Sequence, residues 1–275
     1  MSESAASVDV AAPLFLLGMP RSGTTWLSQI VESSPDFVVR LSPPYSYDYR
    51  GVLTEESTEA DWVAVLDGAL RSSDRFLTQD WRRESGELPT VDNSHATRLG
   101  VKDTRFHDLY LAGMEVLPRA RLVYIVRHPA ATLWSWRSCK EFPAGADFAA
   151  EWRSGACRKV EGPGEFWGFD DWLQLALRYR AAAERDPERY LVVSYRDLVR
   201  DPVGGAEQIL AFGGAPMTAE TRQFLTDTRS SVNDSPYSVF RGSTDGDGWR
   251  ADFPADILRE IERETEAAGL GDLLA

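Results

Sequence analysis

The segment that most constrains the fold is a glycine-bounded turn near the N-terminus. It reads Gly-Met-Pro-Arg-Ser-Gly-Thr-Thr-Trp-Leu from Gly18 to Leu27, and it follows the short apolar run Pro13–Gly18. A continuous apolar run that ends in glycine predicts a strand buried on both faces of a parallel sheet. A glycine-rich turn between such a strand and a helix directs backbone N–H groups and a helix N-terminus at an anion. We therefore expect a phosphate-binding loop here.

This loop differs from the version that binds nucleoside triphosphates. In that version the second glycine is followed by lysine and then by serine or threonine. In this chain Thr24 follows Gly23, and the cation, Arg21, lies inside the loop. Loss of the lysine removes the main contact to the β- and γ-phosphates of a triphosphate. The sequence thus favours a donor with fewer phosphates and no required metal.

The rest of the chain alternates apolar runs with helical patterns. Arg121–Val126 and Tyr190–Tyr195 resemble the first run in length and apolar character. Helical patterns cover Thr25–Ser33, Asp108–Leu117, Ala130–Ser138, Asp171–Arg185, Val203–Phe212, Ala219–Thr226 and Pro254–Ala268. Strands that alternate with helices predict a three-layer α/β/α fold around a mostly parallel sheet.

We expect a disordered N-terminus at residues 1–12 and a single domain over residues 13–275. Two irregular stretches stand out: 42–61 mixes prolines, tyrosines and acidic residues, and 140–169 is rich in glycine, proline and aromatic residues. Loops of this length within a compact domain are often lids or binding loops, so we expect them at the acceptor site. A disordered insertion is the alternative for the second stretch.

Charge and cysteine content exclude several functions. The 43 acidic and 30 basic residues give a formal charge of −13, which disfavours nucleic acids, anionic membranes and polyanionic polymers as partners. Cys139 and Cys157 are too few for a disulfide framework or a structural zinc site. No apolar run approaches the ~20 residues of a membrane span, and the acidic N-terminus does not resemble a signal peptide. We expect a cytoplasmic enzyme; the sequence does not indicate its oligomeric state.

A second anion site is predicted at the end of the strand Arg121–Val126. Arg127 follows the strand directly, and Ser135 lies eight residues further on, in the predicted helix. Open α/β sheets bind ligands at the carboxyl ends of their strands, and an arginine fork with a hydroxyl suits a phosphate. Together with the first loop, this pair suggests a nucleotide that carries phosphate at two separate places.

These segments resemble the nucleotide motifs of the sulfotransferase family, which uses 3′-phosphoadenosine 5′-phosphosulfate (PAPS). The two main likenesses are Pro20–Trp26 and Tyr124–Pro129 with Ser135. Ser194–Leu198, followed by Asp201 and Pro202, is similar to the family's Tyr-Glu-Asp-Leu and Asp-Pro stretch. Phe240–Gly242 and Gly246–Arg250 loosely resemble its C-terminal Arg-Lys-Gly and Gly-Asp-Trp segment, but the lysine is absent and a glycine precedes Trp249. The likeness spans about Pro13 to Phe253.

The resemblance implies a role for each matching residue. PAPS would be the donor and 3′-phosphoadenosine 5′-phosphate (PAP) the product, with no metal. Amides and hydroxyls of Ser22, Gly23, Thr24 and Thr25 would hold the 5′-phosphosulfate. Arg21 would balance charge on the bridging oxygen. The remaining contacts would come from Trp26 and Tyr195 at the adenine and from Arg127, Ser135, Arg241 and Gly242 at the 3′-phosphate.

The resemblance identifies the catalytic residues less directly than the nucleotide contacts. Lys102, at the end of another apolar run, corresponds to the lysine that many family members place against the transferring sulfuryl group. One branch has a histidine two residues later, where this chain has Thr104; another has a glutamate after the first helix, where residues 38–44 contain no acid. His107, Asp103 and Asp48 are the candidate bases, and the sequence leaves the choice between them open.

The acceptor and two other functions also stay open. Aromatic residues cluster in or beside the two irregular stretches, which favours a small apolar or aromatic acceptor with a hydroxyl or amine. The alternatives to a sulfotransferase are a kinase-like phosphotransferase with an altered phosphate loop and a relative that binds PAPS without catalysis.

Overall fold

The computed structural model describes residues 7–159, 164–230 and 248–274. Within them, the strands are β1 (Asp9–Leu17), β2 (Phe37–Leu41), β3 (Arg98–Asp103), β4 (Arg121–Val126) and β5 (Tyr190–Ser194). The helices are α1 (Thr24–Glu32), α2 (Glu59–Arg71), α3 (Arg75–Thr78), α4 (Asp80–Glu84), α5 (His107–Val116), α6 (Pro129–Arg137), α7 (Phe148–Glu151), α8 (Ala156–Lys159), α9 (Phe169–Arg185), α10 (Tyr195–Arg200), α11 (Pro202–Phe212), α12 (Ala219–Ser230) and α13 (Ala255–Ala267). Short 3₁₀ helices lie at Pro43–Tyr45, Gly248–Ala251 and Gly271–Leu274.

All five strands run parallel, in the order β2-β3-β1-β4-β5. After β1 the chain builds one side of the sheet with β2 and β3, then crosses to build the other side with β4 and β5. The central strand β1 therefore ends at the topological switch point, where doubly wound sheets bind their ligands. The predicted fold class is confirmed.

Alternate residues of β1 enter the two apolar layers of the fold. Phe15 and Leu17 belong to the layer that α2, α5, α6, α9 and α13 cover, whereas Leu14 and Leu16 belong to the layer that α1, α11 and α12 cover. Burial on both faces explains why β1 is continuously apolar rather than alternating. Helices on both sides leave the carboxyl edge of the sheet as the place where loops can meet a ligand.

Several boundaries differ from those expected. Residues 9–12, which we expected to be disordered, belong to β1. Asp9 pairs with Arg98 of β3, and the register between the two strands shifts between Asp9 and Leu14. The segment between β2 and β3 forms α2, α3 and α4, for which we had predicted no helix. A capping box between Thr58 and Asp61 starts α2, and this short signal lay inside the stretch 42–61.

The stretch 140–169 contains α7 and α8 in its described part. Arg105, just after β3, forms an ion pair with the buried Glu165 at 2.8 Å. The backbone N–H of Phe106 donates to the carbonyl of Gly164 at 2.9 Å. The ion pair and the hydrogen bond therefore hold the end of the stretch 140–169 against the connection between β3 and α5. No helix of the described residues is long and apolar enough to cross a membrane.

Candidate nucleotide and transfer site

The loop between β1 and α1 depends on two glycines with little space around them. Gly23, the N-cap of α1, has a φ of 98°, in the left-handed region. A Cβ added there would lie 2.4 Å from the Tyr195 ring, and one added at Gly18 would lie 2.7 Å from the carbonyl oxygen of Ile125. Any larger residue would displace the loop from the ends of β4 and β5. These contacts explain why the motif needs glycine at both positions.

The loop is suited to an anion. Ser22 and Thr24 are buried, and the Ser22 hydroxyl has no hydrogen-bond partner in the described structure. A buried hydroxyl without a partner costs about 1–3 kcal/mol, and an anionic oxygen at the helix N-terminus would satisfy it. The residues present therefore fit a phosphate or phosphosulfate group.

The two predicted anion sites meet around Arg21. Its Nε donates to the Ser135 hydroxyl at 3.1 Å, and its carbonyl accepts a long hydrogen bond from Arg127 at 3.4 Å. The backbone of Arg127 is held in turn, because the indole of Trp172 donates to its carbonyl at 3.0 Å. The resemblance assigned Arg21 to the transferring group and Ser135 to the 3′-phosphate, but the structure places these two side chains in contact.

Trp26 and Tyr195 are also neighbours, as a shared role at one base requires. Their ring centroids are 6.2 Å apart at an interplanar angle of 71°. The Arg127 guanidinium lies 5.0 Å from the centroid of the Tyr195 ring. The indole N–H of Trp26 is buried and has no partner in the described structure. Arg241 and Gly242, the other predicted contacts of the 3′-phosphate, lie outside the described residues.

Lys102 reaches the phosphate loop from β3. It pairs with Leu16 of the adjacent strand β1, and its ammonium lies 3.3 Å from the Thr25 hydroxyl. The side chain is buried, with 8% of the residue exposed. Burial lowers its pKa from 10.5 to about 7, and the positive charge of Arg82 adds to this effect. A partly desolvated cation beside the loop is well placed to stabilise negative charge that develops there.

Asp103 is bound within the structure. Its Oδ2 accepts hydrogen bonds from the Ser42 hydroxyl at 2.6 Å and the Tyr110 hydroxyl at 3.0 Å. Its Oδ1 accepts from the backbone N–H groups of Thr104 and Arg105 at 2.7 and 2.9 Å. Burial raises the pKa of this carboxyl. These contacts join the ends of β2 and β3 to α5, which favours a structural role over that of a base.

His107, the first residue of α5, lies in a cluster of aromatic rings. It is fully buried; its Nδ1 lies 2.9 Å from the Tyr179 hydroxyl, and the Phe166 ring packs edge-on at 4.8 Å between centroids. Burial lowers its pKa from 6.5 to about 3. Such a histidine stays neutral at physiological pH, and its full burial separates it from an acceptor in solvent. Asp48, the third candidate base, is exposed.

The structure also places residues that we did not assign to the site. Arg196 and Arg200 of α10 line a cavity of about 330 Å³ together with Arg127 and Tyr195. Arginines in the first and last turns of a short helix give no sequence signal beyond their charge. No group of three or more histidine, cysteine or acidic residues in the described ranges is arranged to hold a metal ion.

Two sequence comparisons relate this chain to known proteins. Residues 13–219 match the sequence profile described as the Sulfotransferase family. Carbohydrate sulfotransferase 3 of Tetronarce californica is 29% identical over 84 residues, and the match spans 30% of this chain but only 19% of that relative.

Solved structures share the fold. Mouse sulfotransferase SULT7A1 complexed with PAP aligns with 98% of this chain and 90% of its own at 18% identity and a TM-score of 0.55. Retinol dehydratase in a complex with retinol and PAP aligns with 96% and 82% at 14% identity and a TM-score of 0.53. The sulfotransferase domain of the Synechococcus PCC 7002 olefin synthase aligns with 92% and 94% at 17% identity and a TM-score of 0.52. Since the profile covers most of its length, this chain belongs to the sulfotransferase family.

Proposed function

We propose that this chain transfers the sulfuryl group of PAPS to a hydroxyl or amine of a small apolar or aromatic molecule and releases PAP. The bond between sulfur and the phosphate oxygen breaks, a bond from sulfur to the acceptor oxygen or nitrogen forms, and the acceptor proton passes to a base. One observation carries the proposal: a phosphate loop without lysine lies against Arg127 and near Ser135. Two structural neighbours are complexes with PAP, which supports the same nucleotide here.

The loop and its neighbours account for donor binding. Amides at the start of α1 and the Ser22 hydroxyl are available to the 5′-phosphosulfate. Arg127 supplies a guanidinium fork for the second phosphate. Trp26 and Tyr195 form an aromatic pair against which adenine can pack. Arg21 contacts Ser135 in this structure, so donor binding and the positions of these two side chains are coupled.

Rate acceleration rests on positioning and charge. As the bond to sulfur breaks, negative charge grows on the bridging and sulfuryl oxygens, and cations already in place stabilise it without reorganisation. Lys102 is buried beside Thr25, so its charge acts with little solvent screening. An anionic donor next to Lys102 favours its protonated form and opposes the effect of burial on its pKa.

Burial of His107 and the full set of hydrogen bonds at Asp103 favour one second candidate, a relative that binds PAPS without catalysis. Neither residue is open to an acceptor, whereas Asp48 is exposed. An acceptor whose own pKa is low, such as an acidic phenol, would need little help from a base.

Turnover without added metal distinguishes these functions. Purified chain is incubated with PAPS labelled in the sulfuryl group and with panels of phenols, alcohols and amines, and both labelled product and PAP are measured. Product on any acceptor supports the proposal and eliminates the binding-only relative. Tight PAP binding without product on any panel favours that relative. Turnover that needs magnesium and ATP would instead identify a phosphotransferase.

A further inference from the structure

A cavity of about 330 Å³ opens beside the proposed nucleotide site. It lies at the carboxyl ends of β4 and β5, where Arg127 and Tyr195 form part of its wall. Arg196 and Arg200 of α10 line it as well, with Trp249 and Leu273 contributing apolar surface. Two residues of the proposed nucleotide site therefore also face this cavity.

The charge of the cavity wall is positive on balance. Arg196 and Arg200 are four residues apart on α10 and so share one face of the helix. Arg196 is half-buried and Arg200 exposed, and neither side chain forms an ion pair or hydrogen bond with the described part of the chain. The acidic residues of the wall are Asp197 and Asp272, and Asp272 accepts a hydrogen bond from Arg180 at 2.9 Å.

His128 also lines the cavity, and nearby arginines affect its ring. Its Nδ1 accepts the backbone N–H of Ala130 at 3.2 Å and caps α6, so the proton of the neutral ring lies on Nε2. Nε2 is buried and has no partner in the described structure. Burial lowers the pKa of His128 to about 3, with further effects from Arg250, Arg127 and Arg196. The positive charges of these three arginines therefore act on a ring whose buried N–H has no partner among the described residues.

We propose that this cavity receives the 3′-phosphate of the nucleotide and that Arg196, together with Arg127, binds it and determines donor choice. This inference rests on the proposed function. Arg196 stands where the family's Tyr-Glu-Asp-Leu stretch has glutamate, and the lysine of the C-terminal Arg-Lys-Gly segment is absent from this chain. Arg196 therefore adds a positive charge to the cavity wall at the start of α10. Arg200, one turn further and exposed, contributes a weaker and more screened field.

Calorimetric titration with PAP and with adenosine 5′-phosphate tests this inference, because the two nucleotides differ only in the 3′-phosphate. Arg196→Ala should weaken PAP binding about tenfold or more, as expected for a hydrogen bond to a charged group, and change adenosine 5′-phosphate by less than about twofold. Arg200→Ala should weaken PAP binding about threefold. Arg185→Ala is the matched control: it removes the same charge from an exposed site at the end of α9, outside the cavity, and should change neither affinity.

Three outcomes overturn the inference. These are an unchanged PAP affinity in Arg196→Ala, an equal loss for both nucleotides in that variant with its melting temperature preserved, and binding of inorganic phosphate to the wild type without competition from PAP. The last outcome would mean that the cavity serves a separate anion. Arg196→Lys should recover part of the lost PAP affinity, whereas a purely structural role would give no such recovery specific to PAP. If the wild type does not bind PAP, the proposed function is wrong as well. If the wild type binds PAP and Arg196→Ala has the same affinity, only the inference about Arg196 is wrong.

Discussion

The two halves of the carboxyl edge differ in how their residues are held. At the proposed donor half, the ends of β1, β4 and β5 bring Gly23, Tyr195, Arg21 and Arg127 together, and the Ser22 hydroxyl lacks a partner among the described residues. At the acceptor half, the carboxylate of Asp103, at the end of β3, is fully engaged by neighbouring groups. Groups without partners are available to a ligand, whereas fully bonded groups are available only to the fold. The proposed donor half thus offers open polar groups to a ligand, whereas the proposed acceptor half holds its polar groups rigidly beside Lys102.

Removal of Lys102 should produce the largest effect and tests whether the acceptor half contributes to catalysis at all. Lys102→Ala should lower kcat roughly a hundredfold or more, the usual loss when one preorganised donor to transition-state charge is removed. PAP affinity should change far less, because the charge of Lys102 matters most when the sulfuryl oxygens become negative. Steady-state kinetics with PAPS and calorimetry with PAP check both values. An unchanged kcat would remove Lys102 from the site.

The pH profile sharpens this test. With a pKa near 7, Lys102 loses its proton as the pH rises, so kcat/KM for PAPS should fall on the alkaline side. Lys102→Arg keeps its charge over this range because guanidinium groups titrate far higher. It should therefore lack the alkaline limb, even if its rate is lower. An alkaline limb that persists in Lys102→Arg would have to come from another group.

Arg127 tests the donor half. Arg127→Ala should weaken PAPS by about ten- to a hundredfold, since a hydrogen bond to a charged group contributes about 1.5–3 kcal/mol. Adenosine 5′-phosphosulfate, which lacks the 3′-phosphate, should lose almost nothing. Ser135→Ala should have a smaller effect, although it also releases Arg21 from its 3.1 Å hydrogen bond. Equal loss for both nucleotides would mean that Arg127 supports the fold or the 5′ end.

The sequence predicted the strand, glycine turn and helix of the loop between β1 and α1, because that geometry is local. These three parts follow one another in the chain, and the left-handed backbone of Gly23 starts the helix. The environment of Asp103 instead depends on Ser42 and Tyr110, and that of His107 on Tyr179. Side-chain burial of this kind is decided by packing between segments far apart in the chain, so the single sequence could name these residues but not decide their roles.

Two glycines with similar backbone conformation test how closely the donor loop must approach its neighbours. Gly23→Ala forces a Cβ to within 2.4 Å of Tyr195 at a φ of 98°. Gly51→Ala introduces a similar positive φ of 73° with nothing within 4 Å. The control should lose only the roughly 1 kcal/mol that a left-handed alanine costs. Gly23→Ala should lose about 1–3 kcal/mol more and bind PAP poorly. Denaturant unfolding and PAP titration measure both; equal losses would mean that the loop tolerates displacement.

His107 should show the smallest effect on activity. Its pKa of about 3 lies below the ordinary value of 6.5 because burial disfavours the imidazolium, so its contribution to stability is complete above pH 6.5 and is lost as the pH falls toward 3. His107→Phe should therefore flatten the loss of melting temperature between pH 6.5 and 4, and change kcat at pH 7.5 by less than about twofold, since a buried neutral ring transfers no proton. The substitution leaves the Tyr179 hydroxyl without a partner, so His107→Phe combined with Tyr179→Phe should be the more stable variant.

Asp48→Asn is the comparison at an exposed position: if Asp48 is the base, this variant alone loses the acidic limb of the kcat profile. Loss of that limb in His107→Phe would reverse the assignment and make the buried histidine a catalytic residue.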